Sequence, residues 1–248
     1  MMIAWRDLVT RYLHTSASAP ANSCTPQKAG TVRQLEATLA VHTTSLLSIE
    51  QLAAMKAWSA RFISIVGHPF VLFSLVVLSL PARYHPHSAV RSFVAFAAIV
   101  LLPLVAMIWY LRESGRWQTV DASNKEERPV LYVAADLTLM AAAMYYCFIE
   151  HAHALMRGCL AVIGMMLAAQ ILNRWVKLSL HVATALLCGL ILLSVRSNEA
   201  WIVLGWIPLL IWSRLALRRH IVAEILGGLI LGTFGAGCLW WLQAQQIG

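Results

Sequence analysis

The chain of 248 residues is short of charge: Asp, Glu, Lys and Arg make up 12% of it, about half of what a soluble domain carries. It has no long basic run, no zinc-finger spacing and no aromatic RNA-binding signature, so its net charge of +8 does not point to nucleic acid. In a chain of mean hydropathy +0.70, that charge fits basic loops lying against anionic lipid. Cysteine is sparse too. Cys24, Cys147, Cys159, Cys188 and Cys238 are odd in number, form no CxxC pair, and four of them fall in apolar stretches. They read as small packing residues, which argues against a disulfide frame or a thiolate metal site. The start, "MMIAWRDLVTRYLH", lacks a continuous apolar segment and so is not a secretory signal.

What is there in quantity is apolar residues, 60% of the chain. Residues 1–58 read as an N-terminal extension: a short interfacial helix or frayed tail, a Ser/Ala/Pro linker, then amphipathic helices opened by capping boxes at Thr31/Gln34 and Ser48/Gln51. From 59 to 248 the reading is an all-α polytopic bundle of about six or seven transmembrane helices. Its apolar stretches run near Phe62–Leu80, Ser92–Leu111, Val130–Ile149, Ala154–Leu172, Leu178–Val195, Ala200–Trp212 and Ile221–Leu242. The sixth is short unless it continues to Leu217. Trp109, Trp175, Trp201, Trp212, Trp240 and Trp241 sit near span ends, as an interfacial belt requires. Gly228 and Gly232 form a GxxxG, which predicts close helix packing.

Seven spans put fifteen of the nineteen basic residues on the N-terminal side and leave Arg83, Arg91, Arg157 and Arg196 on the other. The N-terminus is therefore expected in the cytoplasm, with the protein in a bacterial inner membrane. Three polar clusters then emerge on that same side, because an even number of spans separates each from the next. They are "NKEERP" before the third span, "KLSLH" opening the fifth and "SRLALRRH…E" joining the sixth and seventh.

These clusters carry a resemblance. Ser213, Arg214, His220 and Glu224 fit the SRxxxxxHxxxD signature of the type 2 phosphatidic acid phosphatase family, with Glu for Asp. Ser179-Leu180-His181 resembles that family's PSGH motif with the proline and glycine replaced. Arg128-Pro129 resembles the end of its KxxxxxxRP motif, in which the lysine position is Asp121 and Lys125 lies nearby out of register. The resemblance covers about Phe62 to Leu242. It implies that His220 is the nucleophile of a phosphohistidine intermediate, that Glu224 supports it and that His181 protonates the leaving group. Arg128, Ser179 and Arg214 would bind the phosphate, with Lys177 and Lys125 as further candidates. No metal or other cofactor is implied.

The residue types suit that chemistry independently. Guanidinium groups match phosphate oxygens, a helix N-terminus favours an anion, and a carboxylate four residues after a histidine shares its helical face. Arg218 and Arg219 read more simply as a basic loop. Asp136, two turns after Arg128, either orients an arginine or bonds a neighbouring helix. His68 before Pro69 reads as part of a kink. The pairs His85/His87 and His151/His153 both fall on the outer side, where together they could bind zinc. The expected function is a membrane lipid phosphatase acting on an isoprenoid or glycerolipid phosphate or diphosphate, or a related phosphotransferase. The alternative is a catalytically silent membrane protein, a transporter of anionic lipid or an assembly factor.

Overall fold

A computed structural model describes residues 51–82, 86–117 and 127–244. The chain divides into two units, Met1–Ala54 and Met55–Gly248, and the residues of both cavities described below lie in the second. The N-terminal extension up to residue 50, and Lys125 with it, lie outside the described residues.

The described part is helical throughout: α1 (51–66), α2 (Pro69–Ala82), α3 (Pro86–Phe96), α4 (Leu102–Glu113), α5 (Arg128–Phe148), α6 (His153–Leu172), α7 (Leu180–Ser194), α8 (Glu199–Ala216) and α9 (Val222–Ala244). Among the described residues six stretches are long and apolar enough to cross a membrane: Gln51–Pro81, Ser88–Glu113, Arg128–Phe148, His153–Leu172, Glu199–Ala216 and Val222–Trp241. Thus α1 with α2, and α3 with α4, each serve as one span. The protein is an all-α polytopic membrane bundle.

Helix α5 shows why. Tyr132, Ala135, Leu139, Ala142 and Tyr146 are buried at helical spacing, while Val133, Leu137, Met140, Met144 and Phe148 are exposed on the opposite face. A helix apolar on both faces suits a bilayer and not water. Trp109, Trp175, Trp201, Trp240 and Trp241 are likewise exposed near helix ends.

The interruptions have identifiable causes. Gly67 and His68 break the first span just ahead of Pro69. A π-helical turn, Ala97–Leu101, precedes Pro103, whose missing N–H cannot extend an α-helical ladder back to residue 99. The sixth apolar stretch does continue, through Ser213 and Arg214 to Ala216, despite Pro208 within it.

The expected fifth span is the exception. Helix α7 has 15 residues, too few to span alone, and it is the most enclosed of the set. It packs against α2, α8 and α9, and His181, Val182, Ala183, Thr184, Ala185, Leu187 and Cys188 along it are all buried. Helices α5 and α6 pair beside it, and α6 also packs on α9.

Two glycines set the α7–α9 spacing. A Cβ on Gly228 would stand 2.6 Å from the Ser179 carbonyl oxygen, and one on Gly232 would stand 2.5 Å from that of Ala183. The obstacle is backbone, so only glycine fits. The GxxxG thus brings the start of α7 onto the start of α9, and the Ser179 N–H donates to the Glu224 carbonyl at 3.1 Å.

Candidate active site

Four helix ends converge. Arg128 opens α5, with Pro129 at the first turn where the lost N–H costs nothing. Ser179 is the extended N-cap of α7, and His181 lies in that helix's first turn. Arg214 ends α8, and His220 precedes α9.

The link between Arg214 and His220 is fixed by a helix cap. Arg218 adopts φ +53°, its N–H donates to the Leu215 carbonyl at 3.0 Å, and the Arg219 N–H donates to the Arg214 carbonyl at 3.0 Å. This is a Schellman closure, with arginine in the left-handed position that glycine usually fills. It turns the chain so that His220 faces back towards Arg214.

Each functional side chain then has a defined partner. His220 Nδ1 donates to Glu224 Oε2 at 2.7 Å, and the His220 side chain is only 2% exposed. An ionised carboxylate can only accept, so Nδ1 carries a hydrogen, and in the neutral ring Nε2 is the basic nitrogen. The same Glu224 oxygen accepts the Ile221 N–H at 3.4 Å. Arg128 Nη1 donates to the Leu178 carbonyl at 2.9 Å, which ties α5 to the start of α7. Arg214 Nη1 donates to Ser64 Oγ at 2.8 Å, and Ser213 Oγ donates to the Ala60 carbonyl at 2.5 Å. Ser213 therefore anchors α8 on α1, and its neighbour enters the site.

A cavity of about 60 Å³ lies between these groups, room enough for water. His68, Arg128, His181, Arg214 and His220 line one part of it; Phe70, Leu104, Ile108, Leu131 and Met166 line the rest. Cationic and histidine side chains thus share the cavity with apolar ones.

Not every expected residue reaches the cavity. Lys177 is half-buried and donates to the Arg219 carbonyl at 3.1 Å, holding the loop before His220. Ser179 is fully buried beside the lining residues Leu180 and His181, and its hydroxyl has no hydrogen-bond partner among the described residues. Asp136 does not orient an arginine: it makes no hydrogen bond or ion pair among the described residues, and its Oδ1 is buried.

His68 is the residue that the sequence reading passed over. It is more than part of a kink. Its Nδ1 accepts the Phe70 N–H at 3.3 Å, capping α2. Its ring stands edge-on to His181, with centroids 5.1 Å apart and an interplanar angle of 89°. The signal available was its place just before a proline that starts a helix, which is the position of a cap. Ser64 was missed as well, because a lone serine in an apolar run carries no motif.

Among the described residues no group of three or more His, Cys, Asp or Glu side chains gathers as a metal site. His151 and His153 are therefore not joined by others into a zinc site there, and the side chains of His85 and His87 lie outside the described residues. Comparisons with protein-family models, with curated proteins and with solved structures returned no match.

Proposed function

We propose that the chain is a membrane lipid phosphatase that hydrolyses a phosphomonoester or diphosphate of an isoprenoid or glycerolipid through a phosphohistidine. The observation that carries this reading is the His220–Glu224 pair, whose histidine lines a cavity shared with His181, Arg128 and Arg214. Anion binding alone would be served by the arginines. A carboxylate-oriented histidine that shares its cavity with a second histidine adds a nucleophile and an acid.

The steps follow from those roles. Arg128 and Arg214 hold the phosphoryl oxygens and offset the charge that gathers on them in the transition state. His220 Nε2 attacks phosphorus, the P–N bond forms and the bond to the leaving oxygen breaks. His181, which takes up a proton once the negative charge of the phosphate is bound beside it, gives that proton to the leaving oxygen. Glu224 stabilises the resulting cationic ring, as the carboxylate of a catalytic triad does. Neutral His181 then takes a proton from water, whose oxygen attacks phosphorus, and phosphate leaves His220. The apolar wall, with Phe70, Leu104 and Met166, would receive the start of the lipid tail. The resemblance in SRxxxxxHxxxE supports the same assignment.

The test is phosphate release by the purified chain from a panel of prenyl and glyceryl phosphates and diphosphates, together with trapping of an acid-labile phosphoenzyme from a radiolabelled substrate. Release and label on at least one lipid are expected. Absence of both across the panel would favour the silent or transporter alternative.

The basic residues support a cytoplasmic position for this end of the bundle and for the N-terminus. In a version freed of its five cysteines, Ser114→Cys near the site end and Asn198→Cys at the opposite end should label differently on intact cells. An impermeant thiol reagent is expected to reach position 198 and not position 114; the reverse would put the site on the outer face.

A further inference from the structure

The end of the bundle remote from His181 and His220 holds a second, larger cavity. Its volume is about 530 Å³, within the range of small-molecule sites. It lies between the end of α2, the start of α3, the α5–α6 link and the end of α7. Arg91, Glu150, His151, His153 and Arg157 supply its polar groups. Because α5 has 21 residues, its two ends are about 31 Å apart, so this site is separate from the catalytic one.

Glu150 is the informative residue. Its side chain is only 2% exposed. One oxygen, Oε1, accepts a hydrogen bond from Ser92 Oγ and stands 3.6 Å from Arg91 Nη2. The other, Oε2, is buried at the cavity wall and has no hydrogen-bond partner among the described residues. A buried carboxylate oxygen without a donor is costly, so the site is built for something that brings one. The link carrying Glu150 is held in shape: His151 has φ +54°, and the Ala152 N–H donates to the Tyr146 carbonyl at 2.7 Å. Tyr146 in turn donates from its hydroxyl to the Ser92 carbonyl at 2.8 Å.

The cavity also adjoins an apolar one inside the bundle. Leu80, Ala154, Leu155 and Val195 line both, and the inner cavity continues past Phe73, Phe96 and Leu239. The arrangement therefore has three parts in sequence: an acceptor that lacks a donor, cationic groups around it, and an apolar recess behind. A phospholipid with a primary-amine headgroup has the matching order of ammonium, phosphate and acyl chain.

We infer that this end of the bundle binds a zwitterionic phospholipid of the ethanolamine type. Glu150 Oε2 accepts from the ammonium, Arg91 and Arg157 face the phosphate, and the first carbons of one chain enter the apolar recess. A trimethylated amine has no N–H to give and is bulkier. A glycerol headgroup donates only from neutral hydroxyls, whose bond to a carboxylate is weaker than that of an ammonium. The site discriminates against both.

The full chain, delipidated in detergent, is offered matched-chain ethanolamine, choline and glycerol phospholipids in equal amounts, and the lipid that stays bound is counted by native mass spectrometry. One ethanolamine lipid per chain is expected, preferred over each of the others by roughly ten- to a hundred-fold, the worth of one charge-assisted hydrogen bond. In Glu150→Gln, checked for wild-type elution, the three lipids should bind about equally; Arg157→Ala should weaken all three together. Equal retention of the three by the wild type would overturn the inference, and that result stands even if a variant fails to fold. A preference that survives in folded Glu150→Gln would overturn it as well. Phosphate release measured in parallel reports on the catalytic reading separately.

Discussion

The two polar ends of the bundle are built on opposite plans. At the histidine end a cavity of about 60 Å³ is framed by side chains already held by the protein: His220 by Glu224, Arg128 by the Leu178 carbonyl, Arg214 by Ser64. At the other end a cavity of about 530 Å³ is lined by a buried carboxylate, one oxygen of which has no donor among the described residues. The first is preorganised and the second is completed by a ligand. Chemistry rewards the first plan, because groups fixed in advance need no reorganisation as charge develops. Retention of a lipid rewards the second, because the donor that the lipid brings is the one missing.

The largest contrast should appear in turnover. His220→Ala is expected to abolish phosphate release from lipid and p-nitrophenyl phosphates alike, since no P–N bond can form. Glu150→Gln should leave turnover within about twofold in detergent, because the partners of this carboxylate, Ser92 and Arg91, lie at the far end, about 31 Å away along α5. Comparable losses in both would erase the division between the ends.

Within the histidine end, His181→Ala is expected to lose about 10² to 10⁴-fold on a lipid phosphate and far less on p-nitrophenyl phosphate, whose leaving group scarcely needs a proton. Equal losses on both substrates would remove the acid role from His181. Glu224→Gln should cost roughly ten- to a hundred-fold in kcat, the worth of one hydrogen bond to a charged group, with Glu224→Asp recovering part of it. Full activity in the Gln variant would leave Glu224 a packing residue.

Glycines test rigidity directly. Gly228→Ala forces a methyl against the Ser179 carbonyl and should destabilise by about 1–3 kcal/mol, with activity falling in step. Gly158→Ala, on α6 near the far end, meets nothing within 4 Å and should raise stability by up to about 1 kcal/mol. Melting of the two variants in one detergent gives the comparison.

The smallest effect is one the ends should share. Arg196 follows α7 as Arg218 follows α8, with φ values of +55° and +53° and the same two closing hydrogen bonds. Arg196→Gly and Arg218→Gly should each relieve about 1 kcal/mol of left-handed strain. A gain at only one end would show that the other arginine contributes through its side chain.

The bundle was legible in the sequence because hydropathy is additive along a helix, and six spans suffice to fix it. His220 and Glu224 were legible because a four-residue offset has one geometric meaning on a helix. Depth was not. Nothing in the composition of residues 178–195 distinguishes a span from the short enclosed helix that α7 is, since both are uniformly apolar. Nor did spacing reveal that Ser179 and Lys177 stand beside the cavity and not in its wall. His68 and Ser64 come from the first span, far from every motif, and only the α1–α8 packing brings Ser64 to Arg214. The GxxxG was read correctly as close packing, but its part in joining Ser179 to Glu224 needed the partner helix.

The shortness of α7 has a consequence for what reaches the site. Fifteen residues rise about 22 Å, against a hydrocarbon layer of about 30 Å. The helix that carries His181 in its first turn therefore cannot have both ends at the water boundary. If the shortfall falls at the histidine end, catalysis takes place in a recess below the headgroup plane. Substrates would then be sorted by how far their phosphate can be drawn inwards as well as by its charge. An amphiphile already resident in the leaflet has only a few ångströms to sink, whereas a water-soluble ester must leave bulk solvent altogether. Selectivity would then show as a partition coefficient before it showed as any contact, and thinning the host bilayer with shorter-chain lipids should narrow the gap between the two kinds of substrate.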